Sequence, residues 1–474
     1  MKQRSRLIPQ TKSPIAIVSK QPCSAIIQAN AAKLETAFTM HQQGQLDQAE
    51  TLYKEILQLQ PQHFDSLQLL ATIATQRKNS IVAVELSDQA LMINPNHAST
   101  LYNRGNALRD LKRYEQALDS YDQALTIQPD YVEALNNRGI ALVDLKCPEQ
   151  ALDSYDRALT IQPDFIEALT NRGKVLLDLK RPEQALDSYD RALTIQPDYA
   201  EVLYNRGNAL CELKRFEQAL DSYDRALTIQ PDYAEALYNR GNALLELKRF
   251  EQALDSYDRA LIIQPDYAGA LINRGNALFN LKRPEQALDS YDRALTIQPD
   301  FAEALYNRSN ALCELKRFEQ ALDGYDRALM IQLDFAEALT NRGNVLCDLK
   351  HPEQALDSYD RALSIQPDFA EALTNRGNAL RELKRFEQAL DSYDRALTIQ
   401  PNYVFLYGTW LHTKMKICNW IDVNHQMIQL LEKIERNEKA SPPFPMLALS
   451  SSLALQRKAA EIYVQAKHPI SHAL

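Results

Sequence analysis

Asparagine is the residue capable of chemistry whose spacing is most regular in this sequence. Nine asparagines follow one another at intervals of 34 residues: Asn103, Asn137, Asn171, Asn205, Asn239, Asn273, Asn307, Asn341 and Asn375. A primary amide both donates and accepts hydrogen bonds, so a row of amides can hold the main chain of an extended peptide with little regard for its side chains. We expect these asparagines to form such a peptide-binding ladder.

Recent duplication is an alternative explanation of the asparagines, because the segments that carry them are near-copies of one another. Duplication together with local helix packing would preserve a residue that has no role in binding. The position just before the asparagine has nonetheless changed, to residues that include Tyr102, Asn136, Thr170 and Ile272. This contrast favours the binding role, and both explanations stay open.

An arginine follows each of these asparagines, from Arg104 and Arg138 to Arg376. One interpretation is a cationic stripe for acidic segments. The other is that the arginine stems are partly buried and paired with repeated aspartates such as Asp122 and Asp156. The chain carries 53 Lys+Arg and 62 Asp+Glu residues, a net charge of −9, which favours pairing. The same balance argues against a binder of duplex DNA.

No group of residues matches the pattern of an active site, a metal site or a nucleotide site. The eight histidines are scattered, and Pro469 separates His468 from His472. Only 12 of the 474 residues are glycine, and none belongs to a phosphate-binding loop pattern. The six cysteines lack the close spacing of a zinc site or a disulfide framework and favour a reducing cytoplasm. We therefore expect no catalytic residue, no cofactor and no metal.

The elements that must position the asparagines are pairs of helices. Proline recurs every 34 residues from Pro61 to Pro401, with Leu333 in the single gap, and self-similarity at this period predicts a solenoid. Within 200–233, apolar residues at helical spacing predict helix A at about 200–213 and helix B at about 216–229. We predict an all-α fold of about eleven to twelve such helix-turn-helix repeats, and apolar runs are too short for a membrane span.

The repeat 200–233 places small residues at Gly207, Ala219 and Ala226 and an aromatic residue at Tyr223. With the period and the proline, this pattern resembles the tetratricopeptide repeat (TPR) over residues 30–403. The resemblance implies a right-handed superhelix in which the A helices line a long concave groove. The asparagines would then lie along that groove. Stability would come from contacts between neighbouring repeats, because one repeat cannot bury its own apolar face.

Two segments after the repeats have another character. The chain reads YGTWLHTKMKICNW from Tyr407 and ASPPFPMLALSSSLALQRKAAEIY from Ala440. They resemble the region that joins TPR repeats to the catalytic region in bacterial SPINDLY-type O-linked N-acetylglucosamine transferases, on residues that include Trp410, Lys416, Cys418, Trp420, 441–445 and 456–462. The resemblance implies that the repeats present protein substrates to a glycosyltransferase that uses UDP-GlcNAc. An asparagine ladder is also a trait of that family.

The chain ends at Leu474, about where that catalytic region should begin, so no catalytic residue is carried over. We expect a basic disordered tail over 1–29, eleven repeats over 30–403, a modified twelfth pair over 404–437 and a proline-rich linker and helix over 438–474. Residues 441–445 are expected to contain no helix, and a last helix is expected at about 453–466.

These observations predict a cytoplasmic protein-interaction module whose partners are proteins or extended peptide segments, with no nucleic acid and no membrane. It would be the substrate-recognition part of a SPINDLY-type transferase without its catalytic region. One alternative is an O-GlcNAc transferase acting on Ser or Thr, of which this chain is a truncated version. The other alternative is a free-standing TPR scaffold.

Overall fold

The computed structural model describes residues 24–467, and every helix or strand assigned among them is an α-helix. The described helices fall into two compact units, which divide between Lys214 and Arg215. The first unit contains α1 (Ser24–Gln42), α2 (Leu46–Leu59), α3 (Phe64–Gln76), α4 (Ser80–Ile93), α5 (Ala98–Asp110), α6 (Tyr114–Ile127), α7 (Val132–Asp144), α8 (Pro148–Ile161), α9 (Ile166–Asp178), α10 (Pro182–Ile195) and α11 (Ala200–Glu212). The second contains α12 (Phe216–Ile229), α13 (Ala234–Glu246), α14 (Phe250–Ile263), α15 (Ala268–Asn280), α16 (Pro284–Ile297), α17 (Ala302–Glu314), α18 (Phe318–Ile331), α19 (Ala336–Asp348), α20 (Pro352–Ile365), α21 (Ala370–Glu382), α22 (Phe386–Ile399), α23 (Leu406–Lys416), α24 (Val423–Glu435), α25 (Pro443–Leu449) and α26 (Leu453–Lys467).

The odd-numbered helices up to α23 are the A helices of the repeats, and the even-numbered helices up to α24 are the B helices. Within each unit, an A helix packs against the B helix that follows it and against the B helix that precedes it. This alternation confirms the predicted all-α solenoid of helix pairs. Among the described helices, none is long and apolar enough to cross a membrane.

Local sequence explains where the helices begin and end. Pro148 and Pro284 each take the first position of a B helix, where a missing N–H costs no intrahelical hydrogen bond. Each A helix from α3 to α21 is followed by a lysine with positive φ, such as Lys112 at 59° and Lys282 at 60°. A left-handed residue at this position turns the chain toward the B helix, and its positive charge is favourable at a helix C-terminus.

The core of a repeat depends on a close approach between its two helices. The Tyr257 side chain on α14 is 0% exposed. Its ring lies against Gly241 of α13, where an added Cβ would be 2.5 Å from a ring carbon. A side chain at Gly241 would therefore push the two helices apart. Buried alanines and leucines such as Leu237 and Ala253 fill the rest of the interface.

Helices α23–α26 share a core of their own after the repeats. Its buried residues include Leu411, Leu430, Ile434, Met446 and Leu449. The linker between α24 and α25 lies against the start of α23, because the N–H of Gly408 donates to the carbonyl of Ala440 at 2.8 Å. An added Cβ at Gly408 would be 2.1 Å from the Ser441 hydroxyl, so this contact requires glycine.

The expectation of no helix in residues 441–445 is wrong, because α25 begins at Pro443. Pro443 and Pro445 both lie in the first turn of α25, where backbone N–H groups have no partner inside the helix. The last helix is found as expected, and the N–H of Leu455 donates to the Ser452 hydroxyl at its start. Helix α1 begins at Ser24, within the segment expected as a tail. Residues 1–23, His468 and His472 lie outside the described part of the chain.

Candidate functional site

The ladder asparagines lie at one equivalent position on the A helices from α5 to α21. Eight of the nine are partly buried, and Asn205 is buried, with 8% of its surface exposed. Counting from the first residue of each repeat, the ladder residue is the sixth. The surface that carries the second, fifth, sixth and ninth residues of the A helices is called the A-helix face below.

The side-chain nitrogens of six ladder asparagines bond to the preceding A helix. Asn273 Nδ2 donates to Asn242 Oδ1 at 2.9 Å and to the Tyr238 hydroxyl at 3.3 Å. The bond to the asparagine 31 residues earlier recurs at 2.8–3.1 Å in Asn137, Asn307, Asn341 and Asn375. Asn171 Nδ2 instead donates to Asn136 Oδ1 at 3.1 Å. These amides therefore link neighbouring A helices.

A second row of asparagines, which the sequence analysis did not single out, supplies the acceptor oxygens. It occupies the ninth position: Asn106, Asn242, Asn276, Asn310 and Asn344. Each oxygen also accepts the hydroxyl of the buried tyrosine 15 residues later, as Asn242 does from Tyr257 at 2.8 Å. This row repeats with the same period as the ladder, so spacing alone could have revealed it.

The bonds between repeats leave the ladder oxygens as the main atoms available to a ligand. Among the described residues, none donates a hydrogen bond to the Oδ1 of Asn307 or Asn375. Asn273 Oδ1 accepts only the Asn276 amide at 3.3 Å, and an amide oxygen has two lone pairs. The ladder thus has the packing role that the alternative explanation requires, and it also presents oriented acceptors.

Aromatic and acidic side chains flank the asparagines on the A-helix face. The ring of Tyr238, a fifth-position residue, lies 4.8 Å from the ring of Tyr267. An added Cβ at Gly269, the second residue of its repeat, would be 3.3 Å from the Tyr238 hydroxyl, so second positions lie beside the fifth positions of the preceding helix. In other repeats the second position is an exposed glutamate, as at Glu303, Glu337 and Glu371.

The repeated arginines pair with aspartates, which confirms the structural interpretation of these residues. Arg274 donates to Asp258 on the preceding B helix at 2.6 Å and to the Ser290 hydroxyl on the following one at 2.7 Å. All nine arginines from Arg104 to Arg376 make the aspartate contact at 2.5–2.6 Å, and their side chains are only 18–23% exposed. They do not form a free cationic stripe.

The first repeats lack the ladder and offer a different surface. Glu35 and Leu69 stand at the sixth position of α1 and α3, and Phe38 stands at the ninth position of α1. A cavity of 440 Å³ lies here, lined by Ala31, Leu34, Glu35, Phe38, Asp65, Gln68 and Leu69. This end of the A-helix face is therefore apolar with two carboxylates beside it.

No three or more His, Cys, Asp or Glu side chains among the described residues are placed to hold a metal ion. Burial raises the pKa of the Cys313 and Cys347 thiols, which disfavours the reactive thiolate.

Family models match the chain repeat after repeat. The model described as tetratricopeptide repeat matches 132–165, 166–199, 234–267, 268–301, 336–369 and 370–403. Two further TPR models match 105–146, 207–248 and 188–221, so that TPR models together cover more than half of the chain. The chain is a tetratricopeptide-repeat protein. Such repeats indicate a protein-interaction scaffold. A model described as anaphase-promoting complex, cyclosome, subunit 3 matches 42–124 of this TPR protein.

Solved structures of other proteins resemble parts of the chain. YrrB, described as a TPR protein with an unusual peptide-binding site, is 28% identical with a TM-score of 0.36, and the match covers 40% of this chain and 97% of YrrB. PilF of Pseudomonas aeruginosa is 22% identical with a TM-score of 0.39, over 42% of this chain and 91% of PilF. A TPR protein from Parabacteroides merdae is 20% identical with a TM-score of 0.42, over 52% of this chain and 98% of that protein. A comparison with curated proteins found no match.

Proposed function

We propose that the A-helix face binds extended polypeptide segments, and that the ladder asparagines accept hydrogen bonds from main-chain N–H groups of the segment. The observation that carries this proposal is that hydrogen bonds within the chain occupy the side-chain nitrogens of these asparagines. In Asn137, Asn273 and Asn341, both N–H groups of the side chain have partners on the preceding A helix. The oxygen of each amide is then the atom with capacity left for a ligand.

Fixing the amides before binding favours affinity, because little side-chain entropy is left to lose when the segment arrives. Each hydrogen bond contributes about 0.5–1.5 kcal/mol net, so several repeats must act together to hold a segment. Main-chain recognition is also indifferent to sequence. Selectivity would then come from the variable fifth position, which is isoleucine at Ile272 and tyrosine in the two flanking repeats of the second unit, at Tyr238 and Tyr306.

The test is a peptide-array profile of the wild-type chain and of a variant with Asn239, Asn273, Asn307, Asn341 and Asn375 all replaced by alanine. We expect the variant to lose affinity for unrelated peptides by a similar factor. Peptides whose main-chain nitrogens are methylated should bind the wild type as weakly as unmethylated peptides bind the variant, because methylation removes the N–H donors.

A matched control separates binding from packing. Replacing the ninth-position Asn276, Asn310 and Asn344 with alanine removes the bonds between repeats and leaves the ladder oxygens in place. This control should lose stability and should lose less peptide binding than the ladder variant, because its ladder oxygens remain although they are held less firmly. If the ladder variant stays helical by circular dichroism and keeps its whole binding profile, the ladder serves packing alone and the proposal is wrong.

A finer role is the recognition of substrates for a SPINDLY-type protein O-GlcNAc transferase. The segments that begin at Tyr407 and Ala440 support it by their resemblance to the region that precedes the catalytic region in that family. The separate core of α23–α26 supports it too, because it sets this region apart from the repeats. Fusing the chain to the catalytic region of such a transferase should accelerate GlcNAc transfer to the peptides it binds and not to others. Equal rates for both sets of peptides would favour a free-standing scaffold.

A further inference from the structure

The amide network on the A-helix face has a gap in the repeat 166–199. Lys174 occupies the ninth position there, where an asparagine oxygen accepts two hydrogen bonds in five other repeats. Without that oxygen, Tyr189 Oη and Asn205 Nδ2 have no hydrogen-bond partner among the described residues. Tyr189 is 0% exposed and Asn205 is 8% exposed, so both unpartnered donors belong to buried side chains.

The two unpartnered donors keep the positions they have in complete repeats. An added Cβ at Gly173 would lie 2.4 Å from the Tyr189 ring, against 2.5 Å for the same contact between Gly275 and Tyr291. Helix α11 is also in its usual place, because Arg206 contacts Asp190 at 2.6 Å as the other arginines contact their aspartates. Tyr189 and Asn205 therefore converge on the place that an asparagine oxygen occupies elsewhere.

A cation stands at the same gap. Lys174 Nζ contacts Glu201 at 2.5 Å, and the two side chains are 44% and 45% exposed. An ammonium group has three donors, of which Glu201 takes one. Exposed ion pairs contribute little stability, so Glu201 can turn to solvent and leave the lysine to a ligand.

We infer that this gap is a subsite for a carboxylate side chain, an aspartate or a glutamate of the bound polypeptide, held by Tyr189, Asn205 and Lys174. The inference rests on the proposed function, because the carboxylate must arrive on a segment lying along the A-helix face. Buried donors without an acceptor are costly, and an acceptor supplied by the ligand removes that cost. Hydrogen bonds to an ionised acceptor are about twice as strong as neutral ones, so a carboxylate is favoured over an amide.

The preceding repeat provides a matched comparison. Ile140 replaces the ninth-position asparagine there, and of the two donors that lose this acceptor, Asn171 Nδ2 bonds instead to Asn136 Oδ1 at 3.1 Å. The asparagine side of that gap is thus closed from within the chain, and its ninth-position residue is uncharged. Ile140→Asn is therefore the control for Lys174→Asn, which restores the acceptor and removes the charge.

The experiment uses short peptides that carry one glutamate at each position in turn, and the same peptides with glutamine. For the wild type, we expect one register in which glutamate binds about tenfold more tightly than glutamine, the size of one charge-assisted hydrogen bond. Lys174→Asn should bind both sets equally, and Ile140→Asn should keep the preference. In thermal unfolding without peptide, Lys174→Asn should melt at a higher temperature than the wild type, because it satisfies two buried donors.

Several results would overturn the subsite. Equal binding of glutamate and glutamine peptides by the wild type, or a preference that survives in Lys174→Asn, rejects it while peptide binding itself stands. No gain in melting temperature for Lys174→Asn would mean that the two donors are already satisfied, which removes its basis. Failure of the wild type to bind any peptide rejects the proposed function, and the subsite with it.

Discussion

Ser309 and Gly324 exchange the residues that neighbouring repeats carry at these two positions. In the repeat before, the A helix has Gly275 and the B helix has Ser290. An added Cβ at Gly324 would lie 2.2 Å from the Ser309 hydroxyl, so the interface has room for one of the two side chains and not for both. The space between the helices, rather than either residue, is what the repeats share.

Gly324→Ser alone should therefore destabilise the chain by about 1–3 kcal/mol, the usual effect of overfilling a packed interface. The double variant Ser309→Gly with Gly324→Ser should recover most of that loss. It also gives Arg308 the serine partner that Arg274 has in Ser290. Denaturant unfolding of the single and double variants measures the coupling between the sites. Additive effects would show that the two positions do not share one space.

The bond between Tyr257 and Asn242 makes a second prediction. Asn242→Leu leaves the buried Tyr257 hydroxyl without its acceptor, at about 1–3 kcal/mol, and removes one of the two acceptors of the Asn273 amide. Tyr257→Phe removes only a donor and should cost less. Adding Tyr257→Phe to Asn242→Leu should cost nothing further or restore stability, measured by thermal unfolding. A double variant that loses the full sum would contradict this network.

Alkaline pH should unfold the protein through its buried tyrosines. Burial raises the pKa of Tyr393 and of Tyr53 to about 12, and raises the pKa of Tyr257 further. The unfolded chain loses these protons near pH 10 while the folded chain keeps them, so stability is full below pH 10 and falls as the pH rises toward 12. Each such group contributes a slope of about 1.4 kcal/mol per pH unit. Tyr257→Phe should make the fall shallower by one such slope, and an unchanged slope would mean that Tyr257 ionises in the folded state.

Asp394 lacks the arginine partner of its counterparts. The residue 16 positions later is Trp410, whereas Asp360 has Arg376 at that spacing. Asp394 is exposed as a residue, but partial desolvation of its carboxyl raises the pKa of Asp394, against a hydrogen bond from Trp410 and the charge of Lys414, which lower it. A raised carboxyl pKa favours the folded state at low pH, and this contribution is lost as the pH rises above the ordinary aspartate range.

Asp394→Asn should therefore be more stable than the wild type at pH 7 and equal to it below the ordinary aspartate pKa. Asp360→Asn is the control, because it removes the partner of Arg376 and should lose stability at pH 7. Unfolding in denaturant across this pH range checks both variants. A loss of stability in Asp394→Asn at neutral pH would mean that the carboxylate is well solvated or paired.

The fold was predictable because the sequence of each repeat specifies its own two helices and the contact between them. Proline starts some B helices, small residues mark close contacts such as Gly241 with Tyr257, and the same pattern recurs many times. Helix α25 was not predicted, because a cluster of prolines usually indicates the end of a helix. The first turn of a helix nonetheless tolerates proline, since its N–H groups have no partner inside the helix.

The partners of the polar side chains were harder to predict, because they belong to different repeats. That the Asn273 nitrogen bonds to Asn242 depends on how one A helix lies on the previous one. The meaning of Lys174 also depends on that network, since a lone lysine among asparagines has no significance until the tyrosine and the amide that lose their acceptor are known.

Repeat deletion tests the solenoid as a whole. Within the second unit, residues 268–301 form one complete repeat, α15 and α16. The flanking α14 is a B helix like α16, and the flanking α17 is an A helix like α15. Removing all of 268–301 joins α14 to an A helix with the same interface, so the shortened chain should stay folded with moderately lower stability. Removing 268–284 deletes α15 and its turn and sets one B helix against another, which buries no matching surface. This shorter deletion should be far more destabilising by denaturant unfolding, although it removes half as much chain. Equal losses for the two deletions would mean that the repeats do not stack as interchangeable units.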